Sequence, residues 1–351
     1  MVKNSVVQSF YNTIQYPEPL FSSEKIKNFT KTNKKDYRQT YQKFIIKNKK
    51  KFVIRHRIND HYLQPENAKI SIADFGCGTG NNAIILASIF PNANIHCYDI
   101  ADNSLKHLQQ TINILDLKNI TLFKRDLMKD KLNYSYNMIF SLGVMHHTVS
   151  IQKTFKNITS TLKKGGIGTF FLYHKNGKFY ETLANKLVLT LAKNNNQKLE
   201  IIKNVGLDRK KLSAKLVNLY DILLDSSKVL SISGRIKSIG IRIINKLFRS
   251  TNLKKVTSLN ANWDGFAHPL AQFIDTEDIK KTIENSNNVL VDLWFGDANR
   301  ISEQSTKKLL DNLGLAEYTP KNSDQFIYAG IQEILIAPRK IYFSVSKLAK
   351  G

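Results

Sequence analysis

Residues 70–87 read ISIADFGCGTGNNAIILA, with three glycines at alternate positions between two apolar runs. The first run, ending at Asp74-Phe75, has the character of a buried strand, and the second that of a helix. Glycine at the junction permits positive φ angles and lets a ligand reach the backbone without meeting a Cβ. From residue 68 to 174 strands and helices then alternate. KISIADF, NIHCYDI, NITLFKRD, YNMIFSL and IGTFFLYH read as strands, and NNAIILASIF, NSLKHLQQTINIL and IQKTFKNITSTLK as helices. Continuous apolar strands separated by helices predict an α/β chain with a doubly wound, mostly parallel sheet covered on both faces.

The pattern divides the chain. Residues 1–64 form a polar, aromatic N-terminal extension with a helix from about Lys35 to Arg57, expected to be a lid over cofactor and substrate. Residues 65–174 form the core. Residues 175–273 break the rhythm with basic, helical sequence and read as an insertion that caps the substrate. Residues 274–340 resume the sheet, with DTEDIKKTIEN and SEQSTKKLLDNLG as helices and NVLVDLWFG and IQEILIAPRK as strands, and residues 341–351 read as a basic tail. Within the insertion, Ile232, Ile236, Ile239, Ile243 and Leu247 share one helical face, a stripe for packing on a core or for lying on an anionic surface.

In such a sheet, ligands sit at the carboxyl ends of the strands, where the winding reverses. The glycine turn lies at that edge, and so does Asp99, which ends the second strand 19 residues after Gly80. A carboxylate there accepts both hydroxyls of a ribose, which makes this a nucleoside-binding edge. A dinucleotide fingerprint requires a glycine where this chain has Asn81.

Five motifs in order resemble class I S-adenosylmethionine-dependent methyltransferases. They are IADFGCGTG, CYDIADNSL, FKRDL, YNMIFSLGVMHHT and TLKKGGIGTFFLYH, the last with Lys164 where proline is common. The resemblance implies a seven-stranded, Rossmann-like methyltransferase fold with S-adenosylmethionine as cofactor. It implies that Gly76, Cys77, Gly78 and Gly80 line the methionine half, that Asp74 orients its amino group, and that Asp99 holds the ribose. Ile100 and Leu127 would flank adenine, Asp126 would meet its amino group, and Leu142 would complete the pocket.

His146 and His147 follow the fourth strand at the same edge and are candidates for a general base, as is His268; the alternative for the pair is a helix-start histidine bonded to backbone. Phe10, Tyr11, Tyr16 and Pro17 resemble the aromatic entry segment of related methyltransferases, and Trp263, Phe266 and His268 resemble a segment returning from an insertion. Tyr11, Tyr16, His174, Trp263 and Phe266 are therefore the candidate substrate contacts. No Cys or His stands at ligand spacing from these histidines, so a metal is not expected.

Composition bounds the partners. The longest apolar stretches fall short of the ~20 residues that span a bilayer, and the N-terminus lacks a secretory signal's apolar core. Two cysteines, Cys77 and Cys97, make no disulfide framework. These features lead to the expectation of a soluble, cytoplasmic enzyme. The net charge of +25 keeps RNA or an anionic surface open as a partner, although the charge is spread along the chain. The leading expectation is methyl transfer to a small-molecule acceptor at oxygen, nitrogen or carbon. The rivals are RNA or protein methylation, and cofactor binding without catalysis.

Overall fold

The computed structural model describes residues 4–61, 69–175, 185, 188–204, 264, 268–296, 299–320, 324–336, 338 and 340–348. They fall into two compact units, one built from residues 1–179 and 268–351 and one from residues 180–267. The second contains the helix Asn195–Asn204. The basic stripe from Ile232 to Leu247 lies outside the described residues, as do Trp263 and Phe266.

The first unit is a mixed sheet of β1 (Ser71–Phe75), β2 (Asn94–Asp99), β3 (Ile120–Lys124), β4 (Tyr136–Leu142), β5 (Leu162–Tyr173), β6 (Asn288–Phe295), β7 (Asn299–Arg300) and β8 (Lys340–Lys347). Their order is β3-β2-β1-β4-β5-β8-β6-β7. β1 to β5 pair in parallel, and β8 enters antiparallel between β5 and β6. Seven strands have five or more residues; β7, with two, adds an eighth at the edge. The winding reverses between β1 and β4, which places the ligand edge beside the turn that follows β1.

Four N-terminal helices precede the sheet: α1 (Asn4–Thr13), α2 (Ser23–Lys27), α3 (Lys34–Arg55) and α4 (Ile58–His61). The parallel half is wound by α5 (Asn81–Ile89), α6 (Asp102–Leu115) and α7 (Ile151–Ser160). Residues Ala83–Ala87 of α5 are all buried, as befits a helix apolar around its whole circumference. On its face of the sheet Ile72, Cys97, Met138 and Phe140 pack against α5, α6 and Phe52 of α3. On the other face Phe75, Ile139, Phe155, Phe170 and Phe343 pack with Ile279 and Tyr328. The helix Thr276–Glu284 opens with a capping box, in which the Asp275 carboxylate accepts from the Asp278 N–H at 2.9 Å and Asp278 reciprocates at 3.1 Å.

The C-terminal reading needs correction. The sequence predicts a strand over IQEILIAPRK and a basic tail over residues 341–351. Residues Gln325–Ile336 are instead a helix, which buries Tyr328, Ala329 and Gln332 on one stripe. The strand lies beyond it, in Lys340–Lys347, with Ile341 to Val345 all buried in the middle of the sheet. A short apolar run such as ILIA suits either element, and only its twelve-residue length and the aromatic, β-branched IYFSV after it separate the two.

α3 is tied to the far half of the sheet by Asp292 of β6, which accepts from Arg57 and lies 3.2 Å from His61 Nε2. Arg57 adopts a left-handed φ of 48° in the turn after α3 and stacks 4.6 Å over Trp294, whose Nε1–H donates to the Arg55 carbonyl at 3.0 Å. The hydrogen bond with His61 and the Arg57 guanidinium hold the Asp292 carboxyl below its ordinary range although burial opposes them. Its stabilising contribution is therefore present above pH 4 and is lost as pH falls through the depressed value. Asp292→Asn is expected to cost about 1–3 kcal/mol at pH 7 and less at pH 3, as read by urea unfolding at both pH values.

Candidate active site

The sequence between β1 and α5 turns on three positive-φ glycines, Gly76 at 78°, Gly78 at 54° and Gly80 at 85°. The N–H groups of Gly76 and Cys77 both donate to the Tyr98 carbonyl, at 2.7 and 3.0 Å, which fastens the turn to β2. Asp99, the last residue of β2, accepts from the Gly78 N–H at 2.8 Å through Oδ2 and from the Ala101 N–H at 2.9 Å through Oδ1. Burial raises its carboxyl, and these backbone donors pull it back. Each oxygen keeps a further lone pair for a ligand hydroxyl.

Asp74 lies beneath the turn and is 1% exposed, and its Oδ2 has no hydrogen-bond partner in the protein. Burial, reinforced by the charge of Asp99, pushes its carboxyl up to about 7. An orphaned buried carboxylate is costly unless a cation or donor completes it. Burial also raises the thiols of Cys77 and Cys97, so both are inert core groups.

The turn opens into a cavity of about 530 Å³. Of the cofactor candidates, Gly76, Cys77, Gly78, Asp99, Ile100, Asp126, Leu127 and Leu142 line it. Gly80 does not. A Cβ there would meet Leu108 Cδ1 at 2.2 Å, so this glycine serves the packing of α6 on the turn. Asp126 is fixed by the Met128 N–H, which donates to Oδ1 at 3.0 Å.

Of the candidate histidines, His147 is on the cavity wall. Its Nδ1 lies 3.0 Å from the Leu270 carbonyl, which accepts only, so Nδ1 carries the proton and Nε2 is the basic nitrogen of the neutral ring. His268 packs 3.7 Å from it, ring centre to ring centre, and its Nδ1 accepts from the Leu270 N–H at 3.0 Å. One residue, Leu270, thus orients both rings. His146 is fully buried and stacks on Tyr173 at 4.0 Å, and His268 is fully buried as well. Both stand behind the wall and support it.

Tyr11 and Tyr16 line the cavity. His174 does not: it is fully buried, and its Nε2 lies 3.0 Å from Oε2 of Glu333, which also accepts from the Thr276 N–H at 2.9 Å. Contrary to the expected substrate contact, the ring turns away from the ligand edge toward Glu333, on a helix 159 residues later in the chain. The sequence reading also missed a wall supplied by α3, with Phe44, Asn48, Lys51, Phe52, Arg55 and His56, and by Phe171, Lys340 and Tyr342 of β5 and β8. The spacing 44-48-52-56, with 51-55 beside it, is a one-sided helical stripe, and it was the available signal.

The N-terminal segment sits directly on the turn. Thr79 Oγ1 donates to the Pro17 carbonyl and Asn81 Nδ2 to the Glu18 carbonyl, each at 2.9 Å. A Cβ on Gly78 would lie 2.2 Å from the Tyr16 carbonyl oxygen. Gly78→Ala is expected to cost about 2–3 kcal/mol through its positive φ and this clash. Gly165→Ala, also at positive φ but with nothing within 4 Å, should cost about 1 kcal/mol. Urea unfolding of the two variants separates the steric part from the conformational part.

Sheet order and glycine turn resemble those of class I S-adenosylmethionine-dependent methyltransferase domains. Residues 73–167 match the family model described as a methyltransferase domain. The chain is 30% identical over 105 residues to a malonyl-[acyl-carrier protein] O-methyltransferase of Bacillus cereus, covering 30% of this chain and 38% of the relative. It is 28% identical over 189 residues to ribosomal RNA small subunit methyltransferase G of Malacoplasma penetrans, covering 53% of this chain and 70% of the relative. Among solved structures, PKMT2 from Rickettsia typhi superposes with a TM-score of 0.55 at 10% identity, over 84% of this chain and 52% of that one. The chain thus spans less than half the length of the acyl-carrier-protein methyltransferase and about half of the Rickettsia protein.

Proposed function

We propose that this protein transfers a methyl group from S-adenosylmethionine to a small-molecule acceptor at oxygen, nitrogen or carbon. The observation that carries this reading is the orphaned Asp74 carboxyl beneath a glycine turn that opens into a cavity lined by Asp99 and His147. The residues fit the cofactor. Gly76 and Gly78 admit its methionine half, Asp74 meets its ammonium, Asp99 accepts the ribose hydroxyls, and Ile100, Leu127 and Asp126 receive adenine. When bound, the cofactor supplies an electrophilic methyl on a sulfonium sulfur. The chain's own work is to align the acceptor, exclude water and take up its proton. His147 Nε2, fixed by the bond from Nδ1 to Leu270, is the group for that proton. Tyr11 and Tyr16 close the cavity from the N-terminal side.

No helix among the described residues is long and apolar enough to cross a membrane. Two buried thiols suit a reducing compartment, and we place the activity in the cytoplasm. The net charge of +25 and the likeness to a ribosomal RNA methyltransferase favour an RNA acceptor as the second reading. A cavity roofed by α1 and α3 residues favours the small acceptor. The test is release of S-adenosylhomocysteine over a panel of small acceptors and RNA, with Asp99→Ala as control. The substitution should weaken S-adenosylhomocysteine binding at least tenfold (about 1.4 kcal/mol) and abolish turnover. Turnover that survives it unchanged would overturn the assignment.

A further inference from the structure

The cavity has two electrical ends. Strand order puts β3 at one side of the ligand edge and β8 at the other, with β1 and β4 between. The wall's carboxylates, Asp99 and Asp126, belong to the β2–β3 side, and Arg125 sits there beside Asp126. At the β8 side the wall carries Lys340 of β8 and Arg55, whose carbonyl accepts from Trp294 of β6, and α3 also brings Lys51 to the wall. Lys51 and Arg55 are one helical turn apart and so share a face. Lys340 pairs with Tyr173 at the carboxyl end of β5, and its Nζ lies 5.1 Å over the Phe171 ring.

Between the two ends the floor is apolar. Leu142 pairs with Phe171, and Phe171 with Tyr342, in one row across β4, β5 and β8. Phe171 and Tyr342 stack with ring centres 4.9 Å apart. From above, Phe52 of α3 and His56, which follows that helix, cover this floor, with the His56 ring 5.8 Å from Tyr342.

Resting on the methyltransferase reading above, we propose that the acceptor has an aromatic or aliphatic body and one anionic group, a carboxylate or a phosphate, bound by Arg55, Lys51 and Lys340. Asp99 and Asp126 receive the cofactor's ribose and adenine, and the basic end suits an anion, so the wall's charges sort the two ligands. Strands lie about 4.8 Å apart. The group at β8 is then roughly 10 Å from the edge after β4 where His147 stands, which sets the length of the acceptor. Arg55 offers a planar fork to the anion, and the two lysines add point charges.

The test is calorimetric titration of the whole protein, with S-adenosylhomocysteine bound, by 4-phenylbutyrate, 4-phenylbutyl phosphate and neutral 4-phenylbutanamide. At least one anion is expected to bind tenfold or more tighter than the amide, and the tighter of the two identifies the natural group. Arg55→Gln and Lys340→Gln should each weaken that anion fivefold or more and leave S-adenosylhomocysteine affinity within twofold; Lys51→Gln, at an exposed position, repeats the test where refolding is no concern. Equal binding of the amide and both anions would overturn the proposal, as would no binding of any of the three to cofactor-loaded protein, or indifference to all three substitutions. A short RNA that displaces the anion and loses affinity in the same variants would assign this surface to RNA instead. Failure of S-adenosylhomocysteine itself to bind would reject the methyltransferase reading and this proposal with it, a result distinct from the others.

Discussion

Asp74→Asn is expected to make the protein more stable at pH 8 and at the same time to disable its cofactor site. Burial and the neighbouring Asp99 raise the Asp74 carboxyl from 3.8 to about 7. In the unfolded chain it ionises near pH 4, whereas in the native state it keeps its proton until about pH 7. The unfolded state therefore binds fewer protons over that interval, and native stability declines as pH rises from about 4 to 7, then stays level. Three pKa units correspond to about 4 kcal/mol, an upper bound for the gain when a neutral amide replaces the charge. Urea unfolding should show Asp74→Asn more stable than wild type by about 2–4 kcal/mol at pH 8 and equal to it near pH 4.

Binding moves in the opposite sense. A cationic ligand is attracted only by the ionised carboxyl, so wild-type affinity for S-adenosylmethionine should rise as pH increases through about 7, with proton release on binding. The asparagine variant should lose this pH dependence and bind at least a hundredfold more weakly. Destabilisation of equal size at both pH values would mean that Asp74 is a packing group. A site that holds an unfavourable charge until its ligand arrives fits the common exchange of stability for function.

His147→Gln should lower turnover by about 10²–10⁴ with any acceptor that must lose a proton, the range for a positioned general base. S-adenosylhomocysteine affinity should stay within twofold, because the ring is anchored on Leu270 rather than on the glycine turn. His268→Gln should act more weakly on turnover, through the position of His147, since the two rings are 3.7 Å apart and share Leu270 as anchor. Equal losses in the two variants, or loss of S-adenosylhomocysteine binding in His147→Gln, would assign the cluster to structure alone.

The local part of the site was legible in the sequence. Strand, glycine turn and helix follow one another within twenty residues, and Asp99 closes the next strand, so short-range spacing was enough to place Gly76, Gly78 and Asp99 on one edge. Choosing among His146, His147 and His268 required the turn after β4 and the Leu270 backbone, 123 residues beyond His147. The α3 wall leaves only its 44-48-52-56 spacing in the sequence, which does not say what that stripe faces. The packing of Phe52 on Phe140, with ring centres 6.0 Å apart, brings that helix over the sheet. Lys340 and Tyr342 were hidden by reading a helix as the last strand, which displaced β8 into a supposed tail. His174 follows β5 as an active-site residue would, and only the position of Glu333 shows which way it turns.

Calorimetric titration of the wild-type protein with S-adenosylmethionine, S-adenosylhomocysteine and NADH tests the central claim most directly. The two methionine-derived nucleosides should bind, with NADH showing no heat, and Asp99→Ala should weaken both at least tenfold. NADH binding in their place, or no binding of any of the three to folded protein, would contradict the methyl-donor assignment of the glycine turn.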